Sequence, residues 1–366
     1  MSPLEHRPPI SGDLSHRIVT CRVTLLVITA TLLGCRQSAP TPAPVASPAS
    51  SANVAESTAP WFVEVTDESG VESIYRNGQE GKQSAILESL GGGVGVLDFD
   101  LDGLLDLCFA GGGQIHPDQR ITALPTQMYR NLGTWQFDAV GNLAGVSSSA
   151  FYSHGLAVAD YNHDGFPDFL LTGYGGVQLF TNLGDGTFSE DSKVAALIDP
   201  SWSTSAGWAD FNGDGSLDLY LDHYVNWSFE NHPYCDGPTP SQREICPPKQ
   251  FEGLRDIVFF SNGDGTFRDV TDEVGIDAGG KGLGVLIEDV DVDGDVDIYV
   301  ANDTVPNSLY LNDGNGKFES VADLSGVAVS DKGAPDGSMG VDGCDFNRDG
   351  RPDLWVANYE DRKSVV

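Results

Sequence analysis

One nine-residue acidic pattern occurs five times in this chain, and it constrains the fold more than any other feature. Asp or Asn stands at its first, third and fifth positions, Gly at the sixth and Asp at the ninth. The copies place these ligand-type residues at Asp98, Asp100, Asp102 and Asp106; at Asp160, Asn162, Asp164 and Asp168; at Asp210, Asn212, Asp214 and Asp218; at Asp289, Asp291, Asp293 and Asp297; and at Asp345, Asn347, Asp349 and Asp353. Side chains spaced in this way bring oxygen ligands around one point, with a backbone carbonyl available near position seven. The glycine permits the positive φ that folds the loop over an ion. An all-oxygen set without His or Cys selects a hard cation, and the number of carboxylates favours Ca²⁺ over Mg²⁺. Carboxylates packed this closely repel one another unless a cation sits between them, so these twenty residues are expected to be calcium ligands, with Ca²⁺ as the cofactor. The competing reading is a set of acidic surface turns with no ion.

The loop is not expected to be an EF-hand. That motif needs a bidentate Glu at position twelve, where this chain has Phe109, Leu171, Leu221, Val300 and Val356. These apolar residues sit in short alternating runs, so the loop connects two strands rather than two helices. The formal charge of −34 excludes a phosphate backbone as partner, because nucleic-acid binders cluster Lys and Arg. Docking on anionic lipid through a basic surface is excluded for the same reason. Hydrophobic residues are 40% of the chain, enough for a sizeable core.

Two further submotifs recur in fixed order. Asn-x-Gly-x-Gly-x-Phe spans Asn182 to Phe188 and Asn312 to Phe318, with looser copies ending at Phe137 and Phe267. From Phe137, Phe267 and Phe318, a Gly followed by Val or Ile lies eight and nine residues on, as in Gly275 and Ile276; Phe62 to Val71 is a copy with nothing upstream. Phe137, Phe188, Phe267 and Phe318 follow at intervals of 51, 79 and 51 residues, so a unit has about 51 residues and one unit carries an insertion. Four short strand-like runs with a glycine turn between each suit one propeller blade. In the second unit the runs are 155–159, 169–172, 177–181 and 188 onward. A Gly five residues before the first Asp (Gly93, Gly155, Gly284, Gly340, with Ser205 in the third unit) fits a crowded inner strand, and Leu179, Phe180, Leu309 and Tyr310 are expected between blades. The expected fold is therefore all-β, a β-propeller of four-stranded blades with Ca²⁺ loops, about five repeat units with the last incomplete. A β-sandwich or a set of separate calcium modules is the alternative.

These repeats resemble the FG-GAP/VCBS calcium repeats of integrin α-type propellers. Phe62 to Thr66, Gly70-Val71 and then Gly93 to Asp98 are similar to the cartilage acidic protein/UnbV (ASPIC) branch. The resemblance covers about residues 60 to 366. It implies a ring of seven or a similar number of blades, often followed by a small C-terminal domain, in secreted or surface-held proteins mostly without assigned activity. Aligning Ala357-Asn358 with Ala301-Asn302 places Val365-Val366 at the third strand of the fifth unit, so the chain reads as a truncated product, a five-bladed ring being the minority reading. Phe62 onward offers an unpaired strand for closure.

The N-terminal part reads as address and tether. Arg7, His16, Arg17 and Arg22 precede the apolar run Val23 to Gly34, too short to span a bilayer and suited to a signal-peptide core. It ends Leu32-Leu33-Gly34-Cys35, which resembles a bacterial lipobox and implies lipidation of Cys35. Residues 1–34 are thus expected to be a lipoprotein signal peptide, 35–60 an Ala/Pro/Ser-rich tether, and 61–366 the propeller. The expected location is a bacterial membrane held by the N-terminal lipid anchor, the outer membrane favoured because no Asp follows Cys35, facing the periplasm or cell surface.

The insertion of the third unit lies between about Asp222 and Gly253 and holds Trp227, Phe229, His232, Tyr234, Cys235 and Cys246. An even Cys pair in an exported chain argues for a Cys235–Cys246 disulfide. The loop is read either as a stapled cap on one face or as a recognition loop with exposed aromatics. Cys108 and Cys344 are expected as buried thiols. No nucleophile elbow, HExxH, Walker loop or zinc spacing occurs. His116, His154, His163, His223 and His232 are scattered, and His223 and His232 have no recognisable partner in sequence. The expected function is a non-enzymatic ligand-binding or adhesion module with structural calcium, its partner an unknown protein or carbohydrate. A carbohydrate-active enzyme of the polysaccharide-lyase kind and an assembly scaffold are the alternatives.

Overall fold

The computed structural model describes residues 62–239, 242–359 and 363–365. The signal segment, Cys35 and the tether lie outside them. Everything that follows concerns the unit from Val63 onward.

Period-two alternation folds each repeat into an antiparallel sheet whose strands pair in chain order. Blade I is Val94–Leu97, Asp106–Phe109, Gln127–Asn131 and Phe137–Ala139. Blade II is Tyr152–Ala159, Asp168–Tyr174, Gly176–Asn182 and Phe188–Glu190. Blade III is Ser203–Ala209, Asp218–His223, Ile257–Ser261 and Phe267–Asp269. Blade IV is Gly282–Glu288, Asp297–Asn302, Ser308–Asn312 and Phe318–Ser320. Blade V has three strands among the described residues, Gly337–Cys344, Asp353–Tyr359 and Lys363–Val365. Each acidic loop joins the first strand of a blade to the second.

Successive blades meet face to face, and the apolar core lies in the seams. One cluster joins Phe99 and Met128 of blade I to Phe169 and Phe180 of blade II. A second joins Leu170 and Leu179 to Leu219 and Phe259. A third joins Tyr220 and Phe260 to Val300 and Tyr310, and a fourth joins Tyr299 and Leu309 to Leu354 and Val356. Each fully buried Leu or Phe contributes about 1.5–3 kcal/mol. The alternation along each strand therefore serves two seams, one per face, which is why both faces of the middle strands are apolar.

The first strands crowd together as the glycine pattern requires. A Cβ on Gly155 would lie 2.6 Å from the Thr204 carbonyl oxygen, and one on Gly284 would lie 2.4 Å from that of Met339. A Cβ on Gly340 would meet nothing within 4 Å. The segment after each outer-strand Phe departs from expectation. Val63–Val65 form no strand, and the repeat Gly instead caps a single helical turn, as Thr66–Ser69 ends at Gly70 with φ 81°. Thr271–Val274 and Ala322–Ser325 end the same way at Gly275 and Gly326. A Cβ on Gly275 would lie 2.4 Å from the Phe318 carbonyl oxygen, so this turn seats itself on the outer strand of the following blade. Strand periodicity carries no sign of a four-residue helix.

Candidate functional site: acidic loops and the channel mouth

Backbone donors shape all five acidic loops in one way. The position-one carboxylate takes two N–H groups: Asp98 accepts from Asp102 at 3.0 Å and Gly103 at 2.9 Å. Asp160, Asp210, Asp289 and Asp345 repeat this at 2.8–3.1 Å. The position-five carboxylate accepts the position-seven N–H, from Leu104, Phe166, Ser216, Asp295 and Arg351. The position-six glycines have φ between 86° and 104°. Position four is also left-handed, at Leu101, His163, Gly213, Val292 and Arg348. A β-branched Val292 there is strained, and the locked donors on either side hold it.

The ninth residue does a second task that sequence spacing conceals. Asp218 is fully buried, and its oxygens accept from Phe211 N at 3.0 Å and from Ser261 N, on the third strand of the blade, at 2.8 Å. Asp106, Asp168 and Asp297 do the same with Asn131, Asn182 and Asn312. Burial pushes Asp106 and Asp297 up to about 6 and Asp168 and Asp218 up to about 7, the neighbouring loop carboxylates adding to it and the backbone donors opposing it. Among the described residues, Asp353 takes its backbone donors from its own loop, Phe346 at 2.9 Å and Asn347 at 3.3 Å.

The loops fit a hard cation. One oxygen each of Asp98, Asp100 and Asp106 lies within 4.8 Å of the others, and the same holds for Asp289, Asp291 and Asp297. Asp100 Oδ1 is enclosed and accepts no hydrogen bond. A cation would be held by positions one, three, five and nine, and would screen their mutual repulsion. In loops II, III and V an Asn stands at position three, its Oδ1 accepting the position-five N–H at 2.8–2.9 Å.

Around the first strands opens a cavity of about 1090 Å³, lined by Val94, Leu156, Ser205, Leu283 and Met339, one from each blade. Its polar wall includes Thr204, Tyr224, Asp303 and Asp336. Tyr224 donates its hydroxyl to Asp303 at 2.6 Å, and burial raises that carboxyl.

The insertion packs against this end as a cap. Trp227 is buried and lies 5.4 Å from Tyr174 and 6.1 Å from Trp202 between ring centres. Cys235 and Cys246 are joined by a disulfide, with Cα atoms 5.4 Å apart, and Cys246, Pro247 and Pro248 reach the cavity wall. The exposed-aromatic expectation therefore fails for Trp227 and for the half-buried Phe229, whose rings complete the core; Tyr234 alone of the insertion's aromatics is exposed. Cys108 is buried, with its thiol raised by burial, whereas Cys344, expected buried, is exposed at the end of the first strand of blade V.

The histidines near the mouth are occupied. His154, lowered to about 4 by burial, has its Nε2 as acceptor for Trp202 Nε1 at 3.0 Å, and Nδ1 lies 3.1 Å from the Tyr75 hydroxyl. His232 Nδ1 accepts from Trp227 Nε1 at 3.2 Å, and its Nε2 contacts the Gln83 carbonyl at 3.1 Å. His223 has the partner that sequence did not reveal: Asp199 Oδ2 lies 3.0 Å from Nε2, and the Arg255 carbonyl lies 2.7 Å from Nδ1. Burial opposes the imidazolium, yet the Asp199 carboxylate wins and raises His223; Asp199, despite burial, is held at about 2 by His223. Ser203 donates to the same carboxylate oxygen, at 2.5 Å. The order is Ser to Asp to His, with both imidazole nitrogens engaged, so this group lacks the nucleophile–base contact that acyl transfer needs. Only contacts across 24 residues of sequence identify Asp199.

A family described as FG-GAP-like repeat matches residues 98–171, 160–221 and 289–356. Cartilage acidic protein 1 of Mus musculus is 27% identical over 218 residues, which cover 56% of this chain and 31% of that protein. The Homo sapiens protein is 25% identical over 247 residues, covering 57% and 37%. The chain thus spans about a third of the length of the curated relatives it matches. Among solved structures, an Agrocybe aegerita lectin, described as specifically recognising non-reducing terminal N-acetylglucosamine, overlaps 73% of this chain and 61% of its own at 18% identity and a TM-score of 0.41. The V. cholerae biofilm matrix protein Bap1 overlaps 73% and 34% at 13% identity and a TM-score of 0.36.

Proposed function

Since the chain belongs to the FG-GAP-like repeat family, we propose that it is a calcium-stabilised propeller module that binds a ligand at its channel mouth and performs no chemistry on it. The observation that carries this reading is the cavity bounded by one inner-strand residue from every blade. A volume of that size suits a small ligand or one end of a polymer. Its carboxylates and hydroxyls (Asp303, Asp336, Thr204, Tyr224) beside Leu283 and Met339 suit a ligand rich in hydroxyl donors with apolar faces, as a carbohydrate is. The three nearest histidines each spend both ring nitrogens on the protein, which supports binding over acid–base work. Calcium in the acidic loops would be structural, and lipidation at Cys35 would hold the module at a bacterial membrane; intact mass of exported protein tests that anchor.

The test is a screen of immobilised, calcium-loaded protein against polysaccharides, with Leu283→Trp as the variant that fills the mouth. Retention of a glycan by the parent and its loss in the variant is the expected result. Cleavage of the glycan with a new unsaturated end would overturn the non-catalytic reading, and equal retention by L283W would move the site elsewhere.

A further inference from the structure

Loops I and IV share four Asp and one Gly at matching positions, loop IV carrying a further Asp295 at position seven where loop I has Leu104, and both bring three carboxylates within reach of one ion. They also differ in what stands immediately before the strand-three Asn: Arg130 in blade I and Leu311 in blade IV. Arg130 Nε lies 2.6 Å from Asp100 Oδ2, and its Nη2 donates to Asp102 Oδ2 at 3.1 Å. One guanidinium therefore bridges positions three and five of loop I. The equivalent carboxylates of loop IV, Asp291 and Asp293, form no ion pair among the described residues. In loop II the Asp164 Oδ2 takes the neutral Asn162 Nδ2 at 3.0 Å, and the residue matching Arg130 is Thr181.

We propose that Arg130 is an internal counter-cation that keeps loop I closed without metal and makes it the weakest of the two all-aspartate calcium sites, with loop IV the strongest. Two effects act in the same direction. A fixed positive charge a few ångströms from the site repels an entering divalent ion, and the guanidinium occupies oxygens that the ion would take. The carboxylate repulsion that a cation must relieve in loop IV is already relieved in loop I. Calcium would then fill loop IV before loop I. The affinity half of this inference rests on the calcium reading above; the counter-cation half does not.

Hydrogen exchange with mass readout on the full protein separates the two loops, since peptides over 98–106 and 289–297 report each one. In a calcium titration from chelator, loop IV should become protected at roughly tenfold lower calcium than loop I. Arg130→Leu, which installs the loop IV residue type, should move the loop I midpoint down by about that factor and leave loop IV in place. In chelator the same variant should speed exchange in loop I alone. Arg130→Lys, which keeps the charge but not the fork, should fall between parent and R130L and guards against a general effect of removing a long side chain. Coincident midpoints in the parent, or an R130L loop I that binds no tighter, would overturn the proposal. If neither loop responds to calcium, the calcium reading fails, and the chelator comparison still decides Arg130: faster loop I exchange upholds its counter-cation role, and unchanged exchange removes it.

Discussion

Asp218→Ala separates the two roles that the ninth loop position combines. In the parent, both oxygens of Asp218 are consumed by buried N–H groups, Phe211 at 3.0 Å and Ser261 at 2.8 Å. Truncation leaves both donors unsatisfied in a site with no exposure, at about 1–3 kcal/mol each, so about 2–6 kcal/mol in all. For a unit of this size that lowers the melting temperature by roughly 3–10 °C. The loss needs no ion, so it should appear in EGTA as well as in calcium. Asp214→Ala is the contrast. Asp214 is exposed, and its carboxylate accepts the Ser216 N–H at 2.8 Å within the loop, so in EGTA its removal should cost at most about 1 kcal/mol. In calcium the D214A loss should grow, because one ion ligand is gone. Differential scanning calorimetry of the three proteins in both conditions gives the four differences. An Asp218→Ala that melts with the parent in EGTA would refute the double role. A D214A deficit equal in EGTA and calcium would refute metal binding at that loop.

Two further outcomes follow from other parts of the fold. His223→Gln tests the buried pair with Asp199. His223 is raised in the folded state, so its contribution is fully present below its unfolded value near 6.5 and is lost as pH rises through the raised folded value; Asp199, lowered to about 2, contributes above its unfolded value near 3.8 and loses that as pH falls toward 2. Parent minus H223Q stability, from urea midpoints, should therefore be largest between about pH 4 and 6.5 and shrink on the alkaline side, and a flat difference would contradict the ion pair. Gly155→Ala should cost about 1–3 kcal/mol, because its Cβ would lie 2.6 Å from the Thr204 carbonyl oxygen and 2.7 Å from Thr172 Oγ1, whereas Gly340→Ala should be near neutral; equal effects in chemical denaturation would show that the inner strands are not crowded.

The blades were legible because three local signals agreed along the chain. Apolar alternation marks the strands, the loop glycines mark the reversals, and the fixed order of submotifs makes each unit one sheet. The runs at 169–172 and 177–181 fall inside the observed strands Asp168–Tyr174 and Gly176–Asn182. The helical turn ending at Gly275 was not legible, because its partner is a carbonyl on Phe318 in the next unit. Trp227 was equally opaque. Its polar and proline-rich surroundings look like an exposed loop, and it is buried because Tyr174 and Trp202 come from distant parts of the sequence to meet it, with Phe229 of its own loop closing over it.

Sequence alone determined which atoms could hold a cation, since ligand type and spacing within nine residues are local properties and a glycine at position six dictates the turn. Tertiary structure alone decided how those atoms are shared. Whether an aspartate oxygen faces an ion, a backbone N–H of the third strand or a guanidinium depends on what the neighbouring strand brings within about 3 Å. Asp218 and Ser261 stand 43 residues apart, and Arg130 and Asp102 stand 28 apart. Electrostatics and hydrogen bonding act through space, so loops with the same spelling acquire different chemistry from the strands beside them.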